Sequence, residues 1–226
     1  MRLRGLAGAR IGCAPMRAAF REKESGEADP AEKIEFVPAD YFARAKMSDI
    51  FERAAPLHVD IGCGEGGFLE AMAKRHPEHN FLGIERLLGR VRKVCRSVAQ
   101  QDLPNVRLLR IETAYALRYV LPVESVTMAH VLFPDPWPKR HHQPRRLVQG
   151  GFMEALYGIL ADGGELRIKT DDEPYFRWME KVIEKAKGYE QLLWPEDPQY
   201  PITDFERRFL AQGLPIYRAR LRKVAL

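Results

Sequence analysis

One stretch sets what this chain can fold into. Leu57-His58-Val59-Asp60-Ile61 is a short, mostly apolar run, and Gly62-Cys63-Gly64-Glu65-Gly66-Gly67 follows it at once, before a helical pattern opens at Phe68. Glycine has no Cβ and tolerates positive φ, so a ligand can lie against bare backbone at such a turn. The N–H groups that start the next helix lack intrahelical partners and point at whatever sits there. A strand, a glycine turn and a helix in immediate succession form the first βα unit of an open α/β sheet, a place where nucleotides bind.

Two glycine patterns overlap in the turn. Gly62, Gly64 and Gly67 fit the dinucleotide pattern G-x-G-x-x-G, whereas Gly62, Gly64 and Gly66 fit G-x-G-x-G, common in S-adenosylmethionine (AdoMet) methyltransferases. Asp60 favours the second. A carboxylate there can reach the amino-acid end of AdoMet through water or backbone but would repel a pyrophosphate.

Downstream, apolar runs alternate with amphipathic segments. Strands are expected at 57–61, 80–85, 105–111, 125–133 and 164–170, and helices at 66–76, 86–101, 113–120, 147–161 and 173–187. Asp162-Gly163-Gly164 reads as the glycine cap closing the fourth of these helices. Residues 40–55 read as a short helical lead-in stopped by Pro56. Strands separated by helices of this length predict a mostly parallel sheet with helices on both faces. Tyr189–Trp194 and Ile216–Val224 then look like two more strands around a helix at 203–212. That predicts an α/β, Rossmann-like class I methyltransferase fold: seven strands, closed by a C-terminal antiparallel hairpin.

Composition sets the bounds. The 226 residues, 46% of them apolar, suit one domain with appendages. The formal charge of +5 permits an anionic partner. Cys13, Cys63 and Cys95 form no paired spacing, which reads as reduced thiols in a cytoplasmic protein. No run approaches the roughly 18 apolar residues of a membrane helix. Arg2, Arg4, Arg10, Arg17 and Arg21 precede any acid, as in a transit peptide; a disordered tail, or a true start at Met16, is the preferred reading. Residues 1–35 are expected to be a disordered extension and 36–226 the catalytic domain, acting as a monomer or homodimer.

Each of the first four strands ends in an acid: Asp60, Glu85, Glu112, and Asp135 just past the fourth. Open sheets bind ligands along that carboxyl edge. Four acids there suit a ligand with hydroxyls, an amine and a sulfonium. Glu85 can accept from both ribose hydroxyls, in NAD as in AdoMet. Glu112 would lie beside the adenine, or else cap the next helix.

The most specific segment is Leu132-Phe133-Pro134-Asp135-Pro136-Trp137-Pro138-Lys139-Arg140-His141-His142. Prolines at every second position hold the backbone extended and clamp Asp135 from both sides. Trp137 offers a face for stacking a base. Lys139, Arg140, Arg145 and Arg146, with both histidines, form a basic cluster suited to phosphates. Adjacent histidines on a loop do not suit one ion, so no metal is expected. A second basic group comprises Arg90, Arg92, Lys93, Arg96, Arg207, Arg208, Arg218 and Arg220.

These segments, with Lys169-Thr170-Asp171 and Thr203-Asp204-Phe205-Glu206 in the same order, resemble the tRNA (guanine-N7-)-methyltransferases from about residue 34 onward. The resemblance implies AdoMet as donor, tRNA as partner and a variable-loop guanine as acceptor. It implies that Asp60, Glu85, Glu112 and Asp135 bind AdoMet beside Gly62 and Gly64, that Asp135 is also catalytic, and that Lys139, Asp171 and Thr203 to Glu206, Phe205 included, bind the substrate. On this reading Asp171 and Glu206 accept hydrogen bonds from the guanine edge while Thr203 orients the loop. Three departures stand out: Asp60 replaces the usual glutamate, Glu112 stands where aspartate or asparagine is common, and Gln143-Pro144 interrupts the basic loop. An NAD(P)-dependent oxidoreductase is the competing enzyme reading, but it leaves the Pro-Asp-Pro-Trp-Pro segment unexplained. A non-catalytic RNA-binding relative is the third, and the intact acids and glycines argue against it.

Overall fold

A computed structural model of the chain describes residues 30–226. Seven strands form one sheet in the order β3-β2-β1-β4-β5-β7-β6. They are β1 (Leu57–Ile61), β2 (Asn80–Glu85), β3 (Val106–Arg110), β4 (Val126–Leu132), β5 (Leu160–Thr170), β6 (Tyr189–Leu192) and β7 (Tyr217–Lys223). The pairs among β1 to β5 are parallel, while β7 runs antiparallel to both β5 and β6. The expected class I methyltransferase architecture is therefore present. Strand order reverses between β1 and β4, which makes their carboxyl ends the switch point where such sheets bind ligands.

The helices are α1 (Met47–Ile50), α2 (Gly67–Arg75), α3 (Leu88–Gln100), α4 (Thr113–Tyr115, continued by a wider turn to Val120), α5 (Gly150–Ile159), α6 (Glu173–Ile183) and α7 (Asp204–Ala211). Two expectations are corrected. The lead-in helix spans only Met47–Ile50. Asp162-Gly163-Gly164 is no helix cap: α5 already ends against extended Leu160, and the glycines lie inside β5, where the register with β4 shifts between Val126 and Met128. A glycine pair serves a strand irregularity as well as a helix end.

Two clusters fill the core. The larger lies on the face carrying Val59, Ile61, Ala129, Val131, Leu166, Ile168, Ala219 and Leu221, against Leu156 of α5 and Met179 of α6. The smaller packs Phe81 and Leu108 against Val91, Val94 and Val98 of α3. Of the extension expected at 1–35, residues 1–29 lie outside the described residues. The remainder is packed, not disordered: the Phe36 N–H donates to the Leu108 carbonyl (2.7 Å), the Leu108 N–H donates to the Ile34 carbonyl (2.9 Å), and Ile34 is buried. This short bridge covers the outer edge of β3, the kind of exposed ladder that folded proteins protect. Among the described residues no helix is long and apolar enough to cross a membrane, and Cys63 and Cys95 are buried free thiols. Cys13 lies outside the described residues.

Candidate active site

The glycine turn is built as its sequence demands. Gly62, Gly64 and Gly66 all take positive φ, of 77°, 57° and 79°. The Gly62 and Cys63 N–H groups both donate to the Ile84 carbonyl (2.9 and 3.1 Å), tying the turn to the end of β2. A Cβ on Gly66 would strike Val94 of α3 at 2.6 Å, whereas one on Gly62 would meet nothing within 4 Å. Gly66 is thus a packing glycine, and Gly62 leaves the open backbone a ligand can approach.

Asp60 and Glu85 stand side by side beneath this turn, both buried. Burial, with the Glu85 charge adding to it, pushes the Asp60 carboxyl up to about 7. A carboxyl so placed gains from a cationic neighbour such as an ammonium or sulfonium. Glu85 Oε1 accepts from the N–H groups of Arg86 (2.8 Å) and Leu87 (2.9 Å), and its Oε2 lies 3.5 Å from Arg90. Those contacts fix the carboxylate at the strand end. Glu112 serves as the cap of α4: its two oxygens accept from Ala114 N–H (3.0 Å) and Tyr115 N–H (2.9 Å). The residues at the ends of β1 and β2, with the glycine turn, fit an AdoMet site. Glu112 reaches the same edge as a helix cap.

The Pro-Asp-Pro-Trp loop follows β4. Phe133 and Trp137 both take positive φ, at 53° and 44°. Non-glycine residues held there cost on the order of 1–3 kcal/mol each and concentrate at functional sites. Three contacts hold the strained form. The Phe133 N–H donates to the Lys169 carbonyl (2.8 Å). Arg146 Nε donates to the Pro136 carbonyl (2.8 Å). Phe133 itself packs on Phe209 and Phe205 of α7, with ring centroids 5.5 and 6.4 Å away. Asp135 is exposed and makes no hydrogen bond or ion pair among the described residues. Its carboxylate is displayed, not consumed by the fold.

Several sequence assignments change. Arg146 is buried and lies over the rings of Tyr175 (4.9 Å) and Trp178 (5.5 Å), so it is the loop's anchor and not a phosphate contact. Trp137 already carries the Arg145 guanidinium over its ring at 5.2 Å. Lys139 and Arg140 are exposed, at the head of a short 3₁₀ turn (Arg140–Arg145) that contains Pro144. Glu206 is only 1% exposed and holds Lys169 Nζ with both oxygens (2.9 and 2.7 Å), with Arg218 at 3.5 Å. Buried in this ion pair, its carboxylate is not presented to a guanine edge in this arrangement. Thr203 caps α7, its hydroxyl accepting from the Glu206 N–H (3.0 Å), and Phe205 stays half exposed. Asp171 is half-buried at the end of β5, its carboxyl raised by burial first and the Asp172 charge after it. Of the second basic group, Arg90 and Lys93 pair with Glu65, Arg207 with Asp204, and Arg220 with Glu165 (2.9 and 2.5 Å).

Sequence reading missed a buried polar network beside this edge. His130 Nδ1 is 2.8 Å from the Tyr200 hydroxyl, and His130 Nε2 is 3.4 Å from His58 Nδ1. Lys169 and Arg167 both lie over the Tyr200 ring at 4.9 Å, with Trp194 at 5.3 and 5.9 Å. Burial lowers the Lys169 ammonium despite Glu206, and pushes His58 down to about 3. The covering residues, Trp194 and Tyr200, come from an irregular segment. The polar residues at every second position of β1 (His58, Asp60) and β5 (Glu165, Arg167, Lys169), with His130 in β4, are the available signal.

The sequence and fold also resemble those of known proteins. Residues 54–219 match a family profile described as "Putative methyltransferase". The tRNA (guanine-N(7)-)-methyltransferase of Syntrophotalea carbinolica is 38% identical over 184 residues, spanning 80% of this chain and 77% of that one. Its namesake from Alkaliphilus oremlandii is 32% identical, spanning 81% and 89%. The chain belongs to the tRNA (guanine-N7-)-methyltransferase family. Its cofactor is accordingly S-adenosylmethionine, and the oxidoreductase reading falls away. Among solved structures, the 16S rRNA methyltransferase KamB superposes with a TM-score of 0.58 at 18% identity, over 77% of this chain and 90% of that one. The cyclase SpnF reaches 0.54 at 14%, over 79% of each chain. Both likenesses concern the fold alone, which hosts more than one chemistry.

Proposed function

We propose that this chain transfers a methyl group from S-adenosylmethionine to N7 of a guanine in the variable loop of tRNA, with Asp135 as the catalytic residue. The exposed Asp135, without a hydrogen bond or ion pair among the described residues, on a strained loop at the sheet's switch point carries this reading. Family membership supports the donor and the acceptor atom.

Guanine N7 is an unprotonated acceptor. No proton has to leave before it attacks, so the protein needs no general base. Positioning the two reactants can supply roughly 7–11 kcal/mol. The bound donor supplies an electrophilic methyl on sulfur. Asp60 and Glu85 hold its polar groups, and the Gly62 backbone lets it approach. Positive charge develops on the guanine ring as the bond forms. Asp135, fixed before the ligand arrives, stabilises that charge or holds the base edge. Lys139 and Arg140 serve the phosphates, and Phe205 and Asp171 flank the base. Glu206 acts through Lys169 to hold α7 in place, so it is a positioning residue.

Incubation with labelled AdoMet and bulk tRNA, followed by mapping of the modified base, tests the reaction and its position. Asp135→Ala should lower turnover about 10²–10³-fold, the scale of losing one preorganised charge-stabilising group, with AdoMet affinity within several-fold of the parent. Near-parental turnover would remove Asp135 from its role.

A further inference from the structure

At the opposite edge of the sheet, the turn between α2 and β2 gathers three donors that methyl transfer does not use. His76, Glu78 and His79 each bring one ligand atom within 4.8 Å of the others. His76 Nδ1 is 3.4 Å, and His79 Nε2 3.7 Å, from the same oxygen of Glu78. A tetrahedral ion bound at roughly 2.0–2.1 Å spaces its donors about 3.3 Å apart. We propose that His76, Glu78 and His79 form a binding site for a divalent transition ion of the Zn²⁺ class.

The donor-bearing turn is fixed in advance. Buried Asn105 donates from Nδ2 to the carbonyls of Ala73 (3.1 Å), His76 (3.4 Å) and His79 (3.0 Å). The His79 N–H closes the turn on the His76 carbonyl (3.0 Å). Donors set on a rigid frame lose little freedom when an ion arrives. The His79 ring, by contrast, is not held by any competing hydrogen bond: its Nδ1 is buried without a partner among the described residues, and its Nε2 stays 3.7 Å from Glu78. Two imidazoles and one carboxylate select a borderline transition ion over Mg²⁺ or Ca²⁺, which prefer all-oxygen shells. Glu78 is 61% exposed at its side chain, which leaves room for water in the fourth position. The site departs from the metal-free expectation, which weighed only the adjacent pair His141-His142. Because α2 runs from the glycine turn to this one, a bound ion clips the far end of the helix that opens the cofactor site.

Titration of the untagged, metal-free full chain with Zn²⁺, with Co²⁺ as a spectroscopic probe, decides the matter. The expected result is one equivalent of bound metal and tetrahedral Co²⁺ bands without a thiolate charge-transfer band. His76→Ala, His79→Ala and Glu78→Gln should each weaken binding at least about tenfold, since even outer-shell partners of a metal account for 10–100-fold. His141→Ala and His142→Ala should leave binding unchanged. Absent stoichiometric binding, a thiolate band, equal affinity for Mg²⁺, or unchanged binding in His79→Ala would each overturn the site.

Discussion

Across β1, β4, β5 and β7 the two faces of one sheet are built from opposite materials. One face presents Val59, Ala129, Leu166 and Leu221, all buried under α5 and α6. The other, one residue out of step, presents Asp60, His130, Arg167 and Arg220 at paired positions. The first face is a non-directional adhesive whose worth scales with apolar area. The second gains little net stability from its charges, because removing ions from water offsets most of their mutual attraction. What it gains is geometry: Glu206 on Lys169 sets where α7 lies, and α7 sets Phe133 at the root of the Pro-Asp-Pro-Trp loop. The face that holds the fold and the face that holds the site are separated by a single step of the pleat.

That contrast can be broken in order of effect. Glu206→Ala leaves the Lys169 ammonium buried and unpaired, and should cost about 3–5 kcal/mol in denaturant unfolding. The double variant Lys169→Met with Glu206→Leu should regain most of that stability yet keep the loss of kcat/KM for tRNA. If activity returned with stability, the positioning role would be wrong. On the other face, Leu166→Ala should cost about 2–5 kcal/mol, while turnover per folded molecule stays near that of the parent below the lowered Tm.

Asp60 sharpens the contrast through pH. Its carboxyl is raised from 3.8 to about 7 in the fold, so the native state keeps a proton that the unfolded chain sheds. Its contribution is therefore complete below pH 4 and is lost as pH rises towards 7. His58 and His130, held neutral by burial, slope the opposite way below their ordinary value, so the comparison must be made between variants. Relative to the parent, Asp60→Asn should gain in Tm between pH 4 and 7 without AdoMet; a flat difference would deny the shift. The smallest effect concerns exposed charge. Lys139→Ala should reduce the slope of log affinity for tRNA against log salt by about 1, whereas Arg220→Ala, which removes a partner of Glu165, should leave that slope unchanged.

The parts legible in the sequence were those written locally. Gly62 to Gly66 announce their turn because only glycine suits the backbone angles required, and Pro134-Asp135-Pro136 announces a clamped carboxylate within three residues. The sheet followed from the alternation of segments. What stayed hidden was written at long range. Glu206 and its partner Lys169 are separated by 37 positions, and nothing near either one signals that both oxygens are taken. Arg146 looked like one more cation in a basic run, although Tyr175 and Trp178 of α6 bury it. The polar residues in β1 and β4 gave no hint of a cover, since Trp194 and Tyr200 belong to a stretch without periodicity. Asp162-Gly163-Gly164 reads as a helix cap because a helix end and an irregular strand make the same demand on glycine.

The backbone at Phe133 and Trp137 carries a consequence for how this enzyme can change. Its strained loop is also the one that displays the carboxylate proposed to serve catalysis, so on that proposal heat tolerance and speed compete for the same few torsion angles. A library selected only for thermal resistance should relax those two positions early, and its survivors should be robust proteins that methylate slowly.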